Sequence, residues 1–138
     1  MSSIQKMKTN KLLSILWIFA TLNYLYCDVL TLMDSTQLKQ ILTGIVGNIK
    51  MTDGFLLGSG ILMEIPIGMV LLSRVLKYRS NRITNIIAGS IMTLVQISSL
   101  FVGTGPIKYY VFFSIIEIAC TAFIVILSIR WKVSKEKN

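Results

Sequence analysis

The chain of 138 residues has no histidine, two cysteines, two prolines and only six acidic residues. Without histidine it lacks the commonest general base and the commonest metal ligand, so haem axial pairs and carboxylate–histidine di-iron sites are excluded. Cys27 and Cys120 form no Cys-x-x-Cys motif. That removes the thiol–disulfide chemistry of four-helix, quinone-linked oxidoreductases. A phosphate-binding glycine loop and a serine nucleophile motif are missing as well. Charge is scarce: 14% of residues are charged, against roughly 25% in soluble domains. What fills the space is apolar, with 54% of the chain hydrophobic. Such a chain is neither disordered nor a water-soluble globule. Its length fits one membrane-embedded domain.

Four apolar runs organise it, at residues 12–33, 54–73, 83–102 and 109–129. Each is close to the ~20 residues that cross a ~30 Å hydrocarbon core as an α-helix. Barrel strands would be shorter and alternating, so the helix is the form that satisfies the backbone in lipid. The expected fold is all-α, an integral membrane four-helix up-down-up-down bundle occupying residues 1–138 as a single domain. Lys6, Lys8 and Lys11 precede the first run in the manner of a signal peptide. No Ala-x-Ala-like site follows, and Tyr26 precedes Cys27 where a lipoprotein cleavage site needs a small residue. The run reads as a retained helix.

Lys and Arg set the orientation. Eleven lie before span one, between spans two and three, or after span four, and three lie in the other two connections. The positive-inside rule then places both termini and the Arg74–Arg82 loop in the cytoplasm, in a multi-pass protein of the cell membrane. The same rule accounts for the basic loop: it determines topology first and meets anionic membrane lipids second, with no nucleic acid as partner. In the longest outer connection, Leu38, Ile41, Leu42 and Ile45 recur at helical spacing. They predict an amphipathic helix over about 35–45, capped by Ser35 or Thr36 and ended by Gly44 or Gly47. Thr52 and Asp53 are placed to cap span two. Gly103-Thr104-Gly105-Pro106 reads as a tight loop.

Function is expected where polar groups enter the hydrocarbon layer. Glu64 lies 10 residues into the second span and Glu117 lies 8 residues into the fourth. By helix rise they sit roughly 15 Å and 12 Å from the outer boundary, near the midplane. Asp28 lies higher, near the outer end of span one. No Lys or Arg falls inside any span to pair with them. Glu64 and Glu117 are therefore neutral acids, partners sharing one proton, or acceptors for a cation from outside. Every helix also carries a polar or small stripe at three- and four-residue steps. These are Ser14, Trp17, Thr21, Tyr24, Asp28 and Thr31 on the first, flanked by Asn23 and Cys27, and Gly60, Glu64 and Gly68 on the second. Asn85, Gly89, Thr93 and Gln96 follow on the third, and Ser114, Glu117, Thr121 and Ser128 on the fourth. Turned inward, the stripes would build a polar centre inside an apolar coat. Small and hydroxyl residues are also the ordinary glue of membrane helices, and packing is the expected role of Gly60, Gly68, Gly89 and Thr121. Gly54 and Gly58 make a GxxxG pair on another face, and Pro66 predicts a kink beside Glu64.

Residues 63–74 (MEIPIGMVLLSR) and 81–89 (NRITNIIAG), with 23–30 (NYLYCDVL) and 112–117 (FFSIIE), resemble an uncharacterised family of small prokaryotic four-span membrane proteins. The likeness covers about Leu12 to Trp131 and implies architecture without a mechanism. More distantly, the mid-span Glu64 followed by Arg74 is similar to the DoxX-like group. That likeness implies quinone or redox-complex partners and a hydrophobic ligand.

The leading expectation is a protein that binds a hydrophobic or amphipathic small molecule (lipid, quinone or amine) between its helices. Glu64 and Glu117 would fix the polar or cationic head, supported by Asn23, Thr93 and Gln96, with Tyr24 and Asp28 nearer the outer end. A proton-coupled small transporter of hydrophobic cations is the second expectation, since a midplane carboxyl exchanges a proton for a cation. The third is an accessory, assembly or immunity protein of a membrane complex whose outer loop and helix faces bind a partner; a homodimer or a partner membrane protein is the association expected. A two-carboxylate acid–base scheme is the only catalysis these residues would allow. No other catalytic group accompanies it, so no catalytic residue, cofactor or metal is assigned.

Overall fold

The computed structural model describes residues 3–102 and 107–132, with side chains from Met7 onward. Five helices and one small hairpin make up the fold: α1 (Ser3–Met33), α2 (Ser35–Thr43), β1 (Ile45–Val46), β2 (Ile49–Lys50), α3 (Asp53–Val75), α4 (Tyr78–Ser99) and α5 (Lys108–Arg130). Three helices are long and apolar enough to cross a membrane: Met7–Met33 of α1, α3 and α5. α4 has 22 residues, but Arg79, Asn81, Arg82, Asn85 and Gln96 make it the least apolar of the four. The fold is thus essentially all-helical, with three helices long and apolar enough to cross a membrane, as in a membrane protein. α1 packs between α3 and α5, and α4 packs against α5 and, less extensively, α3.

Local chemistry explains the boundaries. α1 starts well before the apolar run, because helix propensity does not stop where hydrophobicity does. Asp34 alone separates α1 from α2. Its carboxylate accepts from the N–H groups of Thr36 at 2.9 Å and Gln37 at 3.4 Å. The cap is therefore Asp34, and not Ser35 or Thr36 as the sequence suggested, because its oxygen reaches the N–H groups two and three residues on. Gly44, at φ 73°, ends α2 in the left-handed region, where it carries the backbone without a Cβ penalty. The expected helix over 35–45 is thus shorter, and Ile45 instead pairs with Lys50 across a hairpin turned at Gly47 and Asn48. Gly47 has φ 57°, as a two-residue hairpin turn with glycine first requires. Thr52 caps α3 as its spacing suggested, its hydroxyl accepting from Phe55 N–H at 3.2 Å. Pro66 lies buried within an unbroken α3. α4 begins at Tyr78, earlier than the run at 83–102, and ends at Ser99. The Gly103–Pro106 loop lies outside the described residues.

The core holds Leu13, Trp17, Ala20, Met69, Met92 and Ile124. α4 and α5 come close at Gly89 of α4, where a Cβ would meet Val125 Cγ2 at 2.7 Å and Thr121 O at 3.3 Å. Here α5 passes so close that only glycine fits, the small-residue packing of membrane helices. Many large apolar side chains point outward, among them Leu22, Leu57, Leu71, Leu94 and Ile115. That apolar coat is what lipid requires of the outer surface.

Candidate functional site

Helical spacing collects polar side chains where α1, α4 and α5 meet. Tyr24, Cys27 and Asp28 fall on one face of α1, at steps of three and four. Tyr110, Ser114, Glu117 and Thr121 do the same on α5, and Thr93, Gln96 and Ser99 on α4. Along the α4–α5 seam, hydrogen bonds match these groups with one another. Gln96 Nε2 donates to Ser114 Oγ at 2.8 Å, Tyr110 O–H to Ser99 Oγ at 2.7 Å, and the Thr93 and Thr121 hydroxyls lie 2.8 Å apart. Thr93 and Gln96, expected to support a ligand, therefore spend their polar atoms joining α4 to α5.

Glu117 is the exception. It is 1% exposed, yet its Oε1 has no hydrogen-bond partner. The hydroxyl of buried Tyr24, within electrostatic reach on the facing helix, is unpartnered as well. A buried polar group without a partner costs about 1–3 kcal/mol, and a carboxyl in an apolar surround costs more. No ion pair offsets this among the described residues. Asp28, within electrostatic reach, is itself an acid. Asp28 is exposed at the rim, while Cys27 beneath it is buried.

An apolar groove of about 690 Å³ lies on the outer side of α1, turned away from Tyr24, and is lined by Phe19, Asn23, Leu25, Tyr26, Val29 and Phe113 among others. Asn23 and Tyr26 flank Tyr24 on α1, and Phe113 lies one turn before Glu117 on α5. The rings of Tyr26 and Phe113 approach to 5.9 Å at the groove wall. Asn23 turns its Nδ2 to the Phe19 carbonyl, at 2.8 Å, within its own helix.

Glu64 does not join this group. The expectation that both glutamates face one centre holds for Glu117 alone, because Glu64 lies on the exposed side of α3. α3 turns Pro66, Met69 and Ser73 inward. At 3.6 residues per turn these lie about 140–200° round the helix from Glu64. Gly60 and Gly68, one turn to either side, face open space. Arg74, the other residue of the DoxX-like likeness, donates from Nε to Ser14 Oγ at 3.1 Å on α1.

A second polar cluster lies nearer the basic end, and only parts of it are legible in the sequence. Asn85 Oδ1 accepts from Trp17 Nε1 at 2.7 Å and Ser73 Oγ at 3.3 Å. Its Nδ2 donates to the backbone and side-chain oxygens of Asn81, at 2.8 and 2.6 Å. Asn81 Nδ2 then donates to Ser73 O at 2.6 Å. All of Ser73, Asn81, Asn85 and Trp17 are buried. The cluster ties α1, α3 and α4 together with its polar atoms matched, which marks it as structural. Asn81 was hidden because the apolar run begins after it. Tyr110 was missed beside Glu117, although it lies seven residues away, two turns along the same face. Among the described residues, no group of His, Cys, Asp and Glu could hold a metal ion.

Set beside known proteins, the chain matches the model of a family described as "Family of unknown function (DUF6326)" over residues 4–137. No curated protein and no solved structure matches it.

Proposed function

The chain belongs to DUF6326, a family of unknown function, and we propose that it is a four-span membrane protein that binds an amphipathic small molecule against Glu117. In this reading α4 crosses the membrane with α1, α3 and α5, both termini face the cytoplasm, and Glu117 lies near the midplane. The observation that carries it is the buried Glu117 carboxyl, with one oxygen unpartnered, and an unpartnered Tyr24 hydroxyl within electrostatic reach on α1. Such a pair wants a group that donates to the carboxylate and accepts from the phenol. A protonated amine or a hydroxyl-bearing quinol head meets the first need. Its apolar body would pass Phe113, one turn before Glu117, into the groove on the outer side of α1, as lipophilic ligands do in mostly apolar clefts with few polar groups. Asn23 would border that body, and Asp28 would draw a cationic head toward the interior.

A thermal-shift titration tests this reading. Protein in mild detergent is heated with a long-chain alkylamine and, separately, with the alcohol of equal chain length. Selective binding to the native state raises the unfolding midpoint. The amine is expected to raise it in the wild type and not in Glu117→Gln. An equal rise in both proteins would remove Glu117 from the site.

A second reading, proton-coupled transport of hydrophobic cations, is favoured by the placement of Asp28. An exposed carboxyl at the rim within electrostatic reach of a buried one offers a proton a short route inward. Release of protons into weak buffer on adding the alkylamine would favour transport over simple binding.

A further inference from the structure

The basic end of the molecule carries a second groove, remote in sequence from Glu117 and unused by the reading above. It has a volume of about 610 Å³ and is lined by Tyr78, Arg79, Arg82, Ile83 and Ile86, all from the first turns of α4. Their spacing puts them along one helix face. Over a rise of about 10 Å the lining changes from guanidinium to branched alkyl.

Among the described residues, no acidic side chain lines this groove. α4 starts after Lys77 with no side-chain cap and no acidic residue in its first turn. Lys77 at the cap position offers its side chain to none of the leading N–H groups, where the positive end of the helix dipole lies. Between Glu64 and Glu117 the sequence has no Asp or Glu, while Arg74, Lys77, Arg79 and Arg82 all fall in that interval. Arg82 is held in place from one side only. Its Nε and Nη2 donate to the carbonyls of Ser128 and Ile129, each at 3.0 Å, which closes the last turn of α5. A guanidinium has five N–H groups, so part of its donor set stays open. Trp131, 3% exposed, packs edge-on against Tyr78 of the groove wall at 4.9 Å. Its Nε1 is buried without a partner, and so is the hydroxyl of Ser128 beside it in α5. Two arginines stand at one end of a groove whose other end is apolar.

We propose that this groove seats an anionic phospholipid. Its phosphate lies against Arg79, Arg82 and the start of α4, and an acyl chain lies along Ile83 and Ile86. A free phosphate would use the polar end and leave the isoleucines without a role. Arg79 is the discriminating residue, because it is exposed and has no hydrogen-bond or ion-pair partner among the described residues. Its loss should leave the fold intact.

Native mass spectrometry of protein in mild detergent tests this, with equal additions of phosphatidylglycerol, phosphatidylcholine or inorganic phosphate. The wild type should retain one phosphatidylglycerol in preference to phosphatidylcholine. Arg79→Gln should lower that retention about fivefold, the worth of one cation near an anionic surface. Lys8→Gln, which removes an exposed cation from α1 near the same end, should leave it unchanged. Equal retention of the two lipids would overturn the proposal. So would an equal loss in Lys8→Gln, which would mean diffuse charge attraction. Displacement of the lipid by millimolar inorganic phosphate would reassign the site to a soluble anion.

Discussion

Around Asn85, Trp17, Ser73, Asn81 and Asn85 itself all find hydrogen-bond partners; around Glu117, a carboxyl oxygen and the Tyr24 hydroxyl do not. Both clusters are buried, both join α1 to other long helices, and both are made of residues that lipid penalises. What separates them is satisfaction. A matched network stabilises the assembly and fixes helix register. An unmatched carboxyl subtracts from stability, and a protein retains it when something other than its own side chains completes it. The same contrast divides the two glutamates: Glu117 sits inside the helices, while Glu64 lies on the outer face of α3.

The comparison can be pressed hardest at Asn85. Asn85→Ala strips partners from Trp17 Nε1, Ser73 and Asn81 together. It should destabilise the protein by about 2–4 kcal/mol, read from reversible unfolding in mixed micelles. A loss below about 0.5 kcal/mol would mean that the network is not structural.

Next in size is Gly89→Ala, which forces a methyl against Val125 and the Thr121 carbonyl. A cost of about 1–3 kcal/mol is expected, as for other overpacked cores. A double substitution with Val125→Ala should recover much of it, because the nearest atom met is that side chain's Cγ2.

Glu117→Gln pulls two readouts apart. Stability should hold within about 1 kcal/mol, because a group already short of partners is replaced by a neutral one of similar shape. The alkylamine response should vanish. Coupled loss of fold and binding would put Glu117 in the same class as Asn85.

Smallest of all is Glu64→Gln. With its side chain outside the helix assembly, it should change stability by less than about 0.5 kcal/mol and leave the amine response intact. Loss of that response would bring Glu64 back into the site.

Much of this was legible from the chain. The apolar runs at 12–33, 54–73 and 109–129 became α1, α3 and α5 because lipid leaves a long apolar segment little but the helix. Thr52 as a cap, Gly44 as a helix end and Gly89 as a contact point followed from local chemistry that context did not override. The misplaced residue was Glu64. Polarity points Glu64 inward, yet on α3 the polar stripe is the outer side. Pro66, Met69 and Ser73 face the neighbours instead, and only the packing of α3 against α1 and α4 reveals it. The start of α4 was obscured for a related reason. Arg79, Asn81 and Arg82 look like a loop by hydropathy, yet Asn81 is buried and bonded to Ser73, and Arg82 closes the end of α5. The Glu117 cluster was half visible: helical spacing gives Tyr24 and Glu117, but nothing in a sequence reveals that Gln96 and Thr93 are already engaged elsewhere.

The most direct test of the central claim is native mass spectrometry of the protein released from gentle detergent, with wild type, Glu117→Gln and Glu64→Gln side by side. The account predicts a discrete small-molecule adduct on the wild type and on Glu64→Gln that is missing from Glu117→Gln. An adduct kept by Glu117→Gln and lost from Glu64→Gln would contradict it, because binding would then belong to the outer face of α3 and not to the interior beside Tyr24.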